Sequence, residues 1–271
     1  MLVNGLLFVL TFFTTLVAGA FLAGGNPLAA PHDLLLGFMF SLPLLSILGV
    51  HELGHYTAAR RHNVEVTPPY FIPAPSFIGT FGAFIKIKSP VPHRNALMDI
   101  GAAGPIAGAI VAVPVLLIGL KLSVLRPIAG VETGIPLGES ILFRAAAYAV
   151  IGAVPEGYDV VLHPVAFAGW IGLLVTALNL LPSGQLDGGH IAYALFGVGY
   201  EKVARAVPYL LLPLGLLWAG WILWSLMLLF LGTRHPPPLF DEVPLTPGRR
   251  GLGFAAALLF LICFTPNPIP G

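Results

Sequence analysis

Residues 42–61 read LPLLSILGVHELGHYTAARR. The run is apolar as far as Val50. It then places His51, Glu52 and His55 within about one helical turn and closes on Arg60 and Arg61. Helical residues four apart share a face, so His51 and His55 point the same way. Two imidazoles at that spacing can share one zinc ion, and Glu52 beside them can act as general base on water activated by the metal. Zinc brings the pKa of that water towards neutrality, which makes hydroxide available. An ionisable side chain in a membrane span costs roughly 3 kcal/mol or more, so three at ligand spacing point to a site. The packing alternative makes both histidines satisfied interior donors and pairs Glu52 with an arginine such as Arg60.

The composition sets the surroundings. Of 271 residues, 57% are hydrophobic and 9% charged, with a mean hydropathy of +0.90. Soluble domains carry about 25% charged residues. Long apolar runs complete the signature of an all-α polytopic membrane protein. The 13 basic and 12 acidic residues nearly cancel, with no basic patch for nucleic acid. The single cysteine, Cys263, excludes disulfides and multi-cysteine metal sites.

Candidate spans are 2–23, 34–58, 96–120, 164–182 and 252–265. The N-terminal run has no basic flank and is too long for a signal-peptide core, so it reads as a first transmembrane helix. Residues 203–232 are apolar for too long to form one simple span. Gly215 and Gly220 near their middle favour a tight helical hairpin over one long helix. The expectation is six to seven transmembrane helices in a single unit over 1–271: a first helix in 1–33, a core in 34–200 and C-terminal helices in 201–271. Residues 65–92, rich in Pro and Gly with β-type alternation between Gly79 and Lys88, predict a membrane-associated β-hairpin or a membrane-skimming loop. The middle of the 121–163 connection, GESILFRAAAYAVIG, predicts an interfacial helix.

Basic residues orient the chain. Arg60, Arg61, Lys86, Lys88 and Arg94 follow the second span, Lys202 and Arg205 the fourth, and Arg234, Arg249 and Arg250 lie in the Pro-rich 233–251 loop. The 121–163 connection sets Lys121, Arg126 and Arg144 against Glu132, Glu139, Glu156 and Asp159. The 60–95 loop is therefore cytoplasmic, and the hairpin is needed to bring the Pro-rich loop to the same side.

A catalytic zinc site needs a third protein ligand and an open position. Asp187 stands out in TALNLLPSGQLDGGHIAYALFG. Pro182 and the glycines let the backbone leave helical geometry, which is tolerated at membrane depth only beside protein or a polar cavity. Asp187 can then swing towards the histidine pair. His190, three residues on, is the rival ligand, and a plain helix-capping role for Asp187 is the structural alternative.

HELGH in one span, paired with NLLPSGQLDGG in a later one, resembles the site-2 protease family of intramembrane zinc metalloproteases. The resemblance covers about residues 34–200. It extends to GTFGAFIKIKSP, similar to the family's membrane-associated hairpin and shared in part with plant plastid members, and to ALMDIGAAGPIAG, similar to its central helix. It implies one zinc ion held by His51, His55 and Asp187, with Glu52 as catalytic base and Asn179 positioning substrate or its oxyanion. It also implies a transmembrane protein substrate cut within the bilayer. The 121–163 connection carries no PDZ pattern of the kind the bacterial branch uses to choose substrates, and no nucleotide-sensing domain is expected.

Secondary features carry weaker signals. GAAGPIAG (101–108) would let helices approach closely. Asp99 could pair with Arg94 or cap its helix. The hairpin could bind substrate by strand addition, or anchor the surface through Phe71, Phe77, Phe81 and Phe84. His32, His62, His93, His163 and His235 read as solvated residues. Rival functions are a catalytically inactive binding homologue, a zinc transporter, an aspartyl protease using Asp159 with Asp187, and a serine mechanism at Ser183. The expected setting is a prokaryotic cell membrane with the site towards the cytoplasm and no nucleic-acid partner. A homo-oligomer is compatible with this reading.

Overall fold

The computed structural model describes residues 2–128 and 135–270. The piece of the 121–163 connection that carries Glu132 lies outside them. Among the described residues the protein is built of helices with two small antiparallel strand pairs. Among the described residues, three stretches are long and apolar enough to cross a membrane: α1 (Leu2–Leu22), Pro31–Arg61, and α3 (Arg94–Leu122). The second begins as a 3₁₀ turn, Pro31–Gly37, and continues as α2 (Phe38–Arg61).

Helix α3 is the centre of the molecule. It packs against α2, α4 (Ile141–Ile151), α5 (Pro164–Asn179), α6 (Asp187–Phe196) and α9 (Pro247–Cys263). Small residues allow these approaches, as the GAAGPIAG run suggests. A Cβ on Gly54 of α2 would meet the Ala103 carbonyl at 2.6 Å, and one on Gly169 of α5 would meet Leu116 at 2.7 Å. Around these contacts lies a core of Phe40, Leu44, Ile47, Leu116, Phe167 and Leu173.

The expected hairpin is present as β1 (Tyr70–Pro73) and β2 (Thr80–Phe84), paired antiparallel with Tyr70 opposite Phe84. It lies along α1. Asn4 donates Nδ2 to the carbonyls of Pro68 and Pro69 at 3.0 Å each, and Thr14 Oγ1 donates to the Gly79 carbonyl at 2.6 Å. Those two α1 positions are about 15 Å apart along the axis, so the hairpin accompanies α1 well past its first turn. Gly79 turns at φ +80° with the backbone of Thr14 and Thr15 against it, which only glycine accommodates without strain. The four phenylalanines divide: Phe71 is buried and meets Phe8 edge-on, whereas Phe77, Phe81 and Phe84 are exposed.

The helix expected in the middle of the 121–163 connection is present as α4, capped by Ser140 and tied down where Trp170 Nε1 donates to the Gly138 carbonyl. Unforeseen is the pairing of β3 (Val124–Pro127) with β4 (Tyr158–Val161) at the ends of that connection. The 203–232 run breaks into α7 (Glu201–Leu214) and α8 (Gly220–Leu231), which pack on each other with Ser225 Oγ donating to the Pro208 carbonyl at 2.8 Å. At 14 and 12 residues, they reach only about 21 and 18 Å.

Asp99 pairs differently from expectation. It accepts from Arg249 (2.8 and 2.6 Å) and lies 2.7 Å from His62 Nε2, so it fastens α9 and the end of α2 to α3. Arg94 turns instead to Asp241 in the Pro-rich segment.

Candidate metal centre

Helix α2 carries His51 and His55 on the face turned to α3, and both are buried. Helix α5 ends at Asn179, and the chain runs through 180–186 before α6 starts at Asp187. The connection is non-helical backbone inside the protein, so its polar groups need partners. Ser183 Oγ donates to the Ala204 carbonyl at 3.1 Å, and Tyr200 Oη donates to the Gly184 carbonyl at 3.3 Å. Gly184 takes φ +55°, and a Cβ on Gly188 would collide with the Leu180 carbonyl. The loop thus needs its glycines to fold back and deliver Asp187 to the histidines. Leu186 is the N-cap and Asp187 the first helical residue, with no side-chain capping bond, so the capping alternative does not account for the aspartate.

Asp187 Oδ2 lies 3.2 Å from His51 Nε2, and its Oδ1 lies 3.2 Å from His55 Nε2. The two Nε2 atoms are 3.0 Å apart. Among the described residues these three form the one cluster with metal-ligand spacing. Tetrahedral ligands at about 2.0–2.1 Å from zinc stand roughly 3.3 Å from one another, close to what the three atoms show. His55 Nδ1 donates to the Ile100 carbonyl at 2.7 Å, which leaves Nε2 with its lone pair free, the tautomer a metal needs. Two imidazoles and a carboxylate form a zinc donor set that leaves a fourth position open. The residues present therefore fit a zinc ion.

Helix α3 supplies a cradle. A Cβ on Gly104 would overlap the His55 imidazole, and one on Gly108 would come within 3.1 Å of His51 Nδ1. Glu52 is 5% exposed, with no cation paired to it among the described residues. The packing alternative with Arg60 is therefore not what the fold adopts. The backbone of Ile85, just past β2, faces the Glu52 carboxyl. Asn179 Nδ2 is 3.4 Å from His51 Nε2, so its amide reaches the edge of the cluster.

The sequence profile of peptidase family M50 matches residues 39–219. This chain belongs to that family. The M50 segment runs from the start of α2 through the α7–α8 break and so contains every residue of the cluster. A protein of Oryza sativa subsp. indica named "Probable zinc metalloprotease EGY2, chloroplastic" is 32% identical over 97% of this chain and 49% of its own length. An Arabidopsis thaliana protein named "Probable zinc metalloprotease EGY1, chloroplastic" is 35% identical over 87% of this chain and 45% of its own. The chain spans about half the length of the curated relatives it matches. The relatives are named as chloroplastic, a compartment the prokaryotic expectation did not include.

The rival residues fall elsewhere. Asp159 is exposed on β4, and Ser183 spends its hydroxyl on the Ala204 carbonyl. His190 makes its bond to His235 instead of joining the cluster. Sequence reasoning missed His235, which is 7% exposed and not a solvated loop residue. His93 and His163 cap α3 and α5. No sequence signal marks His235 out, because its burial depends on where the Pro-rich segment docks.

Proposed function

We propose that this chain is an intramembrane zinc metalloprotease that hydrolyses peptide bonds in or near transmembrane segments of membrane proteins. The observation that carries the reading is the convergence of His51, His55 and Asp187 from distant parts of the chain onto one ligand set, with Glu52 buried alongside. Zinc in this site would supply Lewis acidity, activating water and polarising the scissile carbonyl. The Glu52 carboxylate takes a proton from the attacking water and later returns it to the leaving amine. Asn179 Nδ2 donates to the substrate carbonyl oxygen as negative charge develops there. The exposed edge of the β1–β2 hairpin, whose far end faces Glu52, can hold an unwound substrate by strand addition. A helical substrate must unwind first, because its carbonyls are tied up in internal hydrogen bonds.

The membrane topology follows the basic residues. The Pro-rich segment bonds to Val91 and Pro92 of the α2–α3 loop, which supports placing both on one side, taken as the cytoplasmic or equivalent side. The short α7 and α8 then enter and return from that side, within the six to seven helices expected. The metal ligands of α2 lie six and ten residues before its last residue, Arg61, about 9 and 15 Å from that end, within reach of water from the basic side. The acidic and histidine ligands concentrate in one place, which favours hydrolysis over a transport path.

The test is cleavage of a single-span membrane protein by the purified chain in liposomes, before and after metal removal and zinc restoration. Loss of cleavage on chelation with recovery on zinc is expected. Cleavage that survives complete zinc removal would exclude this mechanism. In Asp187→Ala the bound zinc should fall well below one per chain.

A further inference from the structure

The segment between α8 and α9 is fastened along much of its length. Leu239 and Phe240 donate backbone N–H groups to the carbonyls of Val91 and Pro92 at 3.0 and 2.9 Å. Arg94 grips Asp241 with Nε and Nη2 at 2.8 and 3.0 Å, which holds that carboxyl below the usual range. Asn95 Nδ2 donates to the Pro244 carbonyl, and its Oδ1 accepts from Thr246 N–H, both at 3.0 Å. The segment is a strap across the start of α3 and the face of α6.

At the head of the strap is His235, stacked on Tyr193 of α6 with ring centres 4.9 Å apart. Its Nδ1 donates to the Pro236 carbonyl at 2.7 Å. Burial pulls this imidazole down to about 4, so near pH 7 it is neutral and carries one ring proton. That proton is on Nδ1, and Nε2 is therefore an acceptor. It lies 2.5 Å from His190 Nδ1, which must donate. A neutral His190 donating through Nδ1 has a bare lone pair on Nε2. Among the described residues no protein group bonds to that Nε2, so its lone pair is unspent.

Its position gives that lone pair a use. His190 is three residues after Asp187 on α6, so the two share a face. Gly101 of α3 lies beneath both, since a Cβ there would meet His190 Cβ at 2.8 Å and the Asp187 carbonyl at 3.2 Å. An unwound substrate brings main-chain N–H groups that have lost their helical acceptors and need new ones in a site poor in water.

We propose that His190 is a substrate-binding residue whose Nε2 accepts a main-chain N–H of the unwound peptide, and that the strap's His235 is a positioning residue that fixes His190 in the tautomer able to do so. The proposal rests on the proteolytic reading above.

The test uses the full chain in liposomes with a synthetic single-span substrate, and a set of substrates in which one amide near the cut is replaced by an ester, removing one N–H. His190→Ala should keep one zinc per chain and a cooperative unfolding transition in detergent, lowered by the loss of the bond to His235, while kcat/KM falls about ten-fold, mostly through KM. His235→Ala should fall by a similar factor, and His235→Gln should recover most of it, because the Gln carbonyl can accept from His190 Nδ1. One ester substrate should lose about ten-fold with the parent and nothing further with His190→Ala. Zinc lost from His190→Ala would make His190 a ligand and overturn the proposal. So would ester effects that persist undiminished in His190→Ala, or a parental kcat/KM in both alanine variants. A parent chain that cuts nothing overturns the proteolytic reading and this inference together, whereas a parent that cuts as fast as both alanine variants overturns this inference alone.

Discussion

Substituting Gly104 by alanine perturbs the site without removing any ligand. The added Cβ would fall on the His55 imidazole, against Nε2, Cε1 and Cδ2. Ordinary contact needs about 3.5–4.0 Å between such atoms, so the ring or α3 must give way by roughly an ångström or more. The ring is held on its other side by the Ile100 carbonyl at 2.7 Å, so its movement also breaks the bond that fixes its tautomer. Metal–ligand distances tolerate about ±0.2 Å, far less than that displacement. Zinc affinity should therefore fall by on the order of 100-fold, the cost typical of losing a ligand's support. Global stability should change much less. Overpacking costs about 1–3 kcal/mol, and replacing a mid-helix glycine by alanine returns about 1 kcal/mol. The assay is zinc titration with a competing chelator, run beside thermal unfolding in detergent. Gly5→Ala is the control, because a Cβ there meets nothing within 4 Å. Parental zinc affinity and cleavage in Gly104→Ala would refute the reasoning that α3 shapes the metal centre.

Three further outcomes follow from the fold. Gly79→Ala should strain a φ of +80° and push on the Thr14 backbone, costing about 1–3 kcal/mol; limited proteolysis within 65–92 should speed up while zinc content holds. Arg249→Ala should leave Asp99 with His62 alone and lower the melting temperature by an amount worth about 1–3 kcal/mol, with zinc stoichiometry unchanged. His235 has a folded pKa lowered to about 4 from 6.5. Its contribution to stability is therefore full above pH 6.5 and is lost as pH falls through 6.5 towards 4, roughly 2 kcal/mol by pH 5. Unfolding compared at pH 7 and pH 5 should show that extra loss in the parent and not in His235→Gln.

The parts legible in the sequence are those written in local pattern. Apolar runs announced α1, α2 and α3 because each holds about 20 predominantly apolar residues, the length that crosses a hydrocarbon core. HELGH announced two members of the three-residue cluster because helical periodicity alone puts two residues four apart on one face. Gly215 and Gly220 announced the break between α7 and α8. What the sequence did not disclose depends on long-range register. Gly104 reads as generic packing glue until the crossing of α2 and α3 puts it under His55. Strands β3 and β4 are four residues each and some thirty residues apart, with too little alternation to signal pairing. His235 and the partners of Asp99 are set by where a proline-rich segment docks, and nothing in that segment's own composition encodes the target.

Glu52→Gln tests the central claim most directly, because the amide keeps the shape of the side chain and removes its capacity to accept a proton. The measurement is the cleavage rate of a single-span substrate in liposomes, normalised to bound zinc. The expected result is one zinc per chain, as in the parent, with the rate reduced by about 100-fold to 10,000-fold. A variant that holds zinc and cuts at the parental rate would contradict the assignment of Glu52 as the base and, with it, the account of how this centre hydrolyses peptides.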